Sequence, residues 1–156
     1  MANDRPAAMY LIRHEETAWN KEWRCQRVTD IPLTETANLI AKPHWVSPEC
    51  HAELTEWDQG KLKGLTAPEL MRDLQERAWS IIDGLRQQAL SGLVAIVRHT
   101  LTTAVILCAA LGLELAKVHR LKIDLASISR LIFTEFGPFA VWRLAALNDR
   151  HHLSAN

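Results

Sequence analysis

Cysteine is scarce in this chain: Cys25, Cys50 and Cys108 are an odd number, with no short paired spacing. That pattern excludes a disulfide framework and fits a reducing compartment. An excess of charge of one sign is also missing, since Lys plus Arg and Asp plus Glu number 18 each. No basic field is available for nucleic acid or an anionic membrane, so any anion must be held by a local site. Long apolar runs are absent too. The longest, Ala104 to Leu113, falls far short of the roughly 20 residues that a spanning helix needs, and the N-terminus, with Asp4 and Arg5, carries no apolar signal core. Repeats, low-complexity tracts and long linkers do not occur. The expectation is one cytoplasmic domain over residues 1–156 that engages neither nucleic acid nor membrane.

What is present is a composition of 48% apolar and 23% charged residues, enough to build a real core at this length. Met9 to Ile12 reads as a buried strand. Asp30 to Glu35 reads as a turn into a short helix capped by Thr34 and limited by Pro43. Residues 43–65 are broken by Pro43, Pro48, Gly60 and Gly64. Thr66-Ala67-Pro68-Glu69 is a capping box, and Leu70, Leu74, Ile81 and Leu85 fall on one face of a helix expected over about 67–90. Leu93 to Val97 is a second apolar strand, followed by a buried helix, Leu101 to Leu111, ended by Gly112. Ser127 to Phe133 and Ala140 to Leu147 read as strands of a hairpin around Phe136-Gly137-Pro138. This order predicts a three-layer α/β/α domain.

Chemistry concentrates at two strand ends. Arg13-His14 closes the first apolar strand and Arg98-His99-Thr100 closes the second, where open α/β sheets place ligand chemistry. A single histidine at a strand end is ordinarily a packing or hydrogen-bonding residue. Two such histidines, one of them opening a helix whose N-terminus favours anions, point to a phosphate site. A carboxylate, Glu56, lies in the irregular stretch, where spacing alone would make it a solvated loop residue.

The stretch Leu11-Ile12-Arg13-His14-Glu15-Glu16-Thr17-Ala18-Trp19-Asn20 resembles the L-[IV]-R-H-G-E-T-x-W-N signature of the histidine phosphatase superfamily, also called phosphoglycerate mutase-like. Nine of ten positions agree, and Glu15 replaces the usual Gly. Val94 to Thr100 resembles the strand that carries the family's second histidine, with Arg98 and Thr100 as departures. Glu53 to Glu69 resembles the L-x-E-x-x-x-G-x-x-x-G-x-[TS]-x-x-E segment, and Ala146 to Leu153 the LN-x-x-x-HL terminus. The resemblance implies a mostly parallel sheet with a C-terminal antiparallel hairpin and a phosphatase acting on small phosphomonoesters. In it His14 is the nucleophile, Arg13 and His99 hold phosphoryl oxygens, and Glu56 is the general acid. Asn20, Gln26, Arg27 and Thr100 would touch substrate. Neither a metal nor an organic cofactor is implied.

Two stretches are shorter than the resemblance calls for. Only seventeen residues, Thr36 to Ala52, stand where the family fits a helix, a strand and a second helix. The family's S-P-L-x-R-A arginine, a core phosphate ligand, is matched here by His51 in Ser47-Pro48-Glu49-Cys50-His51-Ala52. Near residues 65–70 the lid insertion ending in G-E-S is missing, which disfavours a mutase, because a mutase must shelter its intermediate from water. The alternative to an active phosphatase is an impaired domain that binds a phosphorylated ligand or a protein partner. A second copy, forming a homodimer, would cover faces that the shortenings expose. Zinc at Cys25, His44, Cys50 and His51 lacks ligand spacing, and most of the tryptophans are expected to pack.

Overall fold

Strand β1 (Ala7–Arg13) lies at the centre of the fold because its alternate residues Ala7, Met9 and Leu11 are apolar and buried, a period of two that fits one covered sheet face. The structure, a computed structural model, describes residues 7–14, 38, 40–55, 64–136 and 138–153. Among these, one four-stranded sheet has the order β2-β1-β3-β4. Strand β2 (Leu93–Arg98) pairs parallel to β1, and β3 (Ile128–Phe136) pairs antiparallel on its other side. Strand β4 (Phe139–Asp149) returns antiparallel to β3 through the expected hairpin.

The sheet is therefore mixed. The expectation of a mostly parallel sheet holds for the β1/β2 pair alone, because only that pair is joined through a long helix, whereas β3 enters from the end that β1 leaves.

Helix α1 (Ala67–Ser91) starts where the capping box predicts. The Glu69 carboxylate accepts hydrogen bonds from the backbone N–H and the hydroxyl of Thr66, each at 2.7 Å. Those bonds hold its carboxyl below the usual carboxylate range. Its buried stripe is Leu74, Ala78, Ile82 and Ala89, so Ile82 rather than Ile81 is the fully covered residue of that pair. Helix α2 (Thr100–Leu111) is buried along Thr102 to Cys108. An apolar surface on all sides suits a helix wedged between a sheet and another helix. Gly112, at φ 63°, ends it with a left-handed cap whose N–H bonds to Ala109 O, as the motif requires.

Both helices pack on the same sheet face, against Met9, Leu11, Ile96 and Leu131. The second helical layer of a three-layer domain is not found among the described residues. The short helix expected after Thr34 falls largely outside them. The irregular stretch includes two single 3-10 turns, Lys42–His44 and Ala52–Leu54, and Leu54 anchors the second in the core. At the far end of the sheet, Trp142 stacks edge-on with Trp79 and Phe133, and the Arg86 guanidinium lies 4.7 Å from the Phe133 ring centroid. Those two tryptophans are packing residues. No helix among the described residues is long and apolar enough to cross a membrane.

Leu131 is fully buried between Met9 of β1 and Leu144 of β4. Leu131→Ala is expected to lower the unfolding free energy by about 2–5 kcal/mol, measured by urea denaturation, because the surrounding strands cannot collapse into the void. A loss below about 1 kcal/mol would contradict its place at the centre of the core.

Candidate active site

The parallel ladder ends on the rung Arg13↔Arg98. The next residue on each strand is a histidine, and the ladder extends one more bond, from the His14 N–H to the Arg98 carbonyl at 3.2 Å. This register brings the side chains together: His14 Nε2 and His99 Nδ1 are 2.7 Å apart, with the rings edge to face. At that distance a single proton lies between the two nitrogens, so one ring donates and the other accepts.

His14 is buried, with 2% of its surface exposed. His99 caps α2 with extended backbone (φ −79°, ψ 167°), and its carbonyl accepts from both the N–H and the hydroxyl of Thr103. The first turn of α2, beginning at Thr100, therefore starts beside the pair and directs the positive end of its dipole there. Burial pushes the His99 pKa down to about 4, and the charges of His14, Arg98 and Arg13 push in the same direction. His99 is neutral at pH 7. A neutral imidazole acts as a hydrogen-bonding group and not as a cation.

A third wall comes from the loop before β3, which sequence reasoning did not single out as part of the site. The Arg13 N–H donates to Ser127 O at 3.0 Å, and the Ala126 N–H donates to His14 O at 3.3 Å. The Arg13 guanidinium donates through Nη1 to Ile123 O at 2.6 Å. This loop is clamped in turn by Asn148, whose Oδ1 accepts from the Asp124 N–H at 2.6 Å while its Nδ2 donates to the Asp124 carboxylate at 2.9 Å. Asn148 bonding, with Lys122 at 3.2 Å, holds the Asp124 carboxyl below its usual range.

Asn148 reaches Asp124 because it sits at φ 57° in a bulge: Ile128↔Asp149 is followed by Arg130↔Ala146, three residues of β4 against two of β3. Asparagine tolerates that left-handed conformation better than most residues. The Leu147-Asn148 of the C-terminal motif was the available signal for this clamp.

The structure brings together His14, His99 and Arg13, with Thr100 following His99 as the first residue of α2. His51 stands at the start of the turn Ala52–Leu54, with its Nε2 3.6 Å from the Glu49 carboxylate. Glu56, Asn20, Gln26 and Arg27 lie outside the described residues. Among those described, no group of three or more His, Cys, Asp or Glu side chains is arranged to hold a metal ion.

The sequence profile of the histidine phosphatase superfamily (branch 1) matches residues 9–36 and 67–149. Both histidines fall within the matched segments, as do Asn20, Gln26 and Arg27, while His51 and Glu56 fall between them. No curated protein matches the chain in sequence. Among solved structures, Bacillus stearothermophilus YhfR is similar with a TM-score of 0.75 at 18% identity, covering 94% of this chain and 98% of that one. Entamoeba histolytica phosphoserine phosphatase, in complex with 3-phosphoglyceric acid, matches with a TM-score of 0.68 at 18% identity, over 94% and 98%. Shigella flexneri alpha-ribazole phosphatase matches with a TM-score of 0.66 at 16% identity, over 92% and 96%. At these identities the likeness is one of fold.

Two outcomes follow from the site's construction. In the unfolded chain His99 binds a proton near its ordinary 6.5, whereas in the fold it does so only near 4. Between these values the unfolded state holds more protons, so His99 lowers stability progressively as pH falls through that window, by about 3 kcal/mol in all. Urea denaturation at stepped pH should show the loss in wild type and a shallower one in His99→Asn. Separately, Asn148→Gly keeps the left-handed backbone but strips both bonds to Asp124. A stability loss of about 1–3 kcal/mol is expected from the same measurement.

Proposed function

The chain belongs to the histidine phosphatase superfamily, and from that membership we propose that it hydrolyses small phosphomonoesters through a phosphohistidine formed on His14. The observation that carries this reading is the 2.7 Å contact between His14 Nε2 and a neutral His99 at the ends of two parallel strands. The names of two structural relatives, a phosphoserine phosphatase and an alpha-ribazole phosphatase, support small phosphorylated compounds as the substrate class.

Attack requires a lone pair on His14 Nε2, so His99 serves as the donor from Nδ1–H and His14 carries its own proton on Nδ1. A phosphoryl group approaching in line takes the place of His99 at Nε2. The freed Nδ1–H then turns to a phosphoryl oxygen, and the exchange satisfies both groups throughout. The N–P bond forms as the P–O ester bond breaks. The departing oxygen takes a proton from the Glu56 carboxyl, and the resulting carboxylate then removes a proton from water as water attacks phosphorus. The N–P bond breaks, and inorganic phosphate and neutral His14 are regenerated. Arg13 and the positive end of α2 oppose the charge on the equatorial oxygens in both steps. Asn20, Gln26, Arg27 and Thr100 are proposed to contact the substrate.

A second reading has its own observation. The matched segments leave out residues 37–66, the span that carries both Glu56 and the shortened region where His51 replaces an arginine. An impaired domain would bind phosphate and stop there, or would form the adduct without releasing it.

Hydrolysis of an aryl phosphate across pH 5–8, with acid-quenched protein examined by mass spectrometry for a labile phosphoryl adduct, separates these readings. The phosphatase reading expects turnover and an adduct in wild type, with a loss of at least about 10³-fold in kcat for His14→Ala. An adduct without turnover would support the impaired reading. Turnover that survives His14→Ala would sink the phosphohistidine mechanism.

A further inference from the structure

We propose that Arg98 is a second cationic ligand of the phosphoryl group, doing the work of the arginine that the 47–52 segment lacks. The inference rests on the phosphatase reading above.

Arg13 and Arg98 are Cα partners on neighbouring parallel strands, and directly paired residues send their side chains to the same face of a sheet. Two guanidinium groups therefore leave the last rung on one side, each one residue before a histidine of the pair. Both residues are half-buried, at a depth where a charge is only weakly screened. The main chain fixes Arg98 as firmly as Arg13, since its carbonyl accepts the His14 N–H.

Electrostatics agree with the geometry. The charge of Arg98 reaches the His99 imidazole and depresses its proton affinity, as that of Arg13 does. Both charges thus act on the imidazole that contacts His14 Nε2.

The chemistry also leaves work for a second fork. A transferring phosphoryl group spreads its charge over three equatorial oxygens, and one arm of the Arg13 guanidinium is already engaged at 2.6 Å by the Ile123 carbonyl. A second guanidinium on the same rung can serve oxygens that Arg13 does not. Its planar arrangement of donors matches phosphate geometry in a way that an ammonium does not.

The test is isothermal titration of inorganic phosphate into the full chain, for wild type, Arg98→Ser and Arg98→Lys, with the His99 imidazole followed by NMR across pH. If Arg98 is a ligand, Arg98→Ser weakens phosphate binding by about 10- to 100-fold. Arg98→Lys, which keeps the charge and loses the fork, weakens it less. Removing the cation also raises the His99 pKa in Arg98→Ser, a change that loss of a purely structural arginine distant from the site would not produce. Should Arg98→Ser fail to fold, Arg98→Lys decides, since an unchanged Kd in a folded lysine variant shows that no guanidinium fork is used. Phosphate binding by Arg98→Ser within twofold of wild type overturns the inference while leaving the phosphatase reading in place. A wild type that binds no phosphate and forms no adduct overturns both.

Discussion

The parallel pairing of β1 with β2 is the constraint on which the rest depends. Its register carries Arg13 to Arg98 on the final rung, and the one-residue continuation puts His14 against His99. Side chains alternate along a strand, so a slip of one residue would send one histidine to the opposite face and dissolve the pair. What prevents the slip lies below the site: Met9, Leu11 and Ile96 must all face α1 and α2, and only one register buries them together. The hydrophobic core thus fixes a polar contact formed at its edge.

That contact is costly to build. Two imidazoles, one of them buried, lie close to two guanidiniums, and the protein responds by keeping His99 unprotonated well below neutral pH. The same crowding of positive charge is suited to a dianion, which would relieve the repulsion that the ligand-free protein tolerates. On the proposed function, that cost in stability prepares the electrostatic environment of phosphoryl transfer.

The C-terminal hairpin contributes at a distance from the reacting atoms. Bulged β4 turns Asn148 toward Asp124, Asp124 holds the loop 123–127, and that loop bonds the backbone of Arg13 and His14 and the guanidinium of Arg13. None of these groups needs to touch substrate. Their effect is to limit the directions in which Arg13 and His14 can move, which matters because positioning dominates phosphoryl transfer.

The sequence by itself determined the periodic elements, since a capping box at Thr66 and Glu69, a largely apolar helix closed by Gly112 and the turn around Gly137 are local signals that need no distant partner. It also marked His14 and His99, because a histidine following an apolar strand stands out against its neighbours. Strand direction was less legible: β3 carries no local mark of being antiparallel to β1, and only the path of the chain settles it. The loop 123–127 carries no local mark of its role, because that role consists of bonds to Arg13 and His14, more than a hundred residues away. The tertiary structure alone decided that His99 is neutral and that Arg98 shares a rung with Arg13. Both depend on which charges are brought close together in a place with little water, and such distances are set by packing rather than by order along the chain.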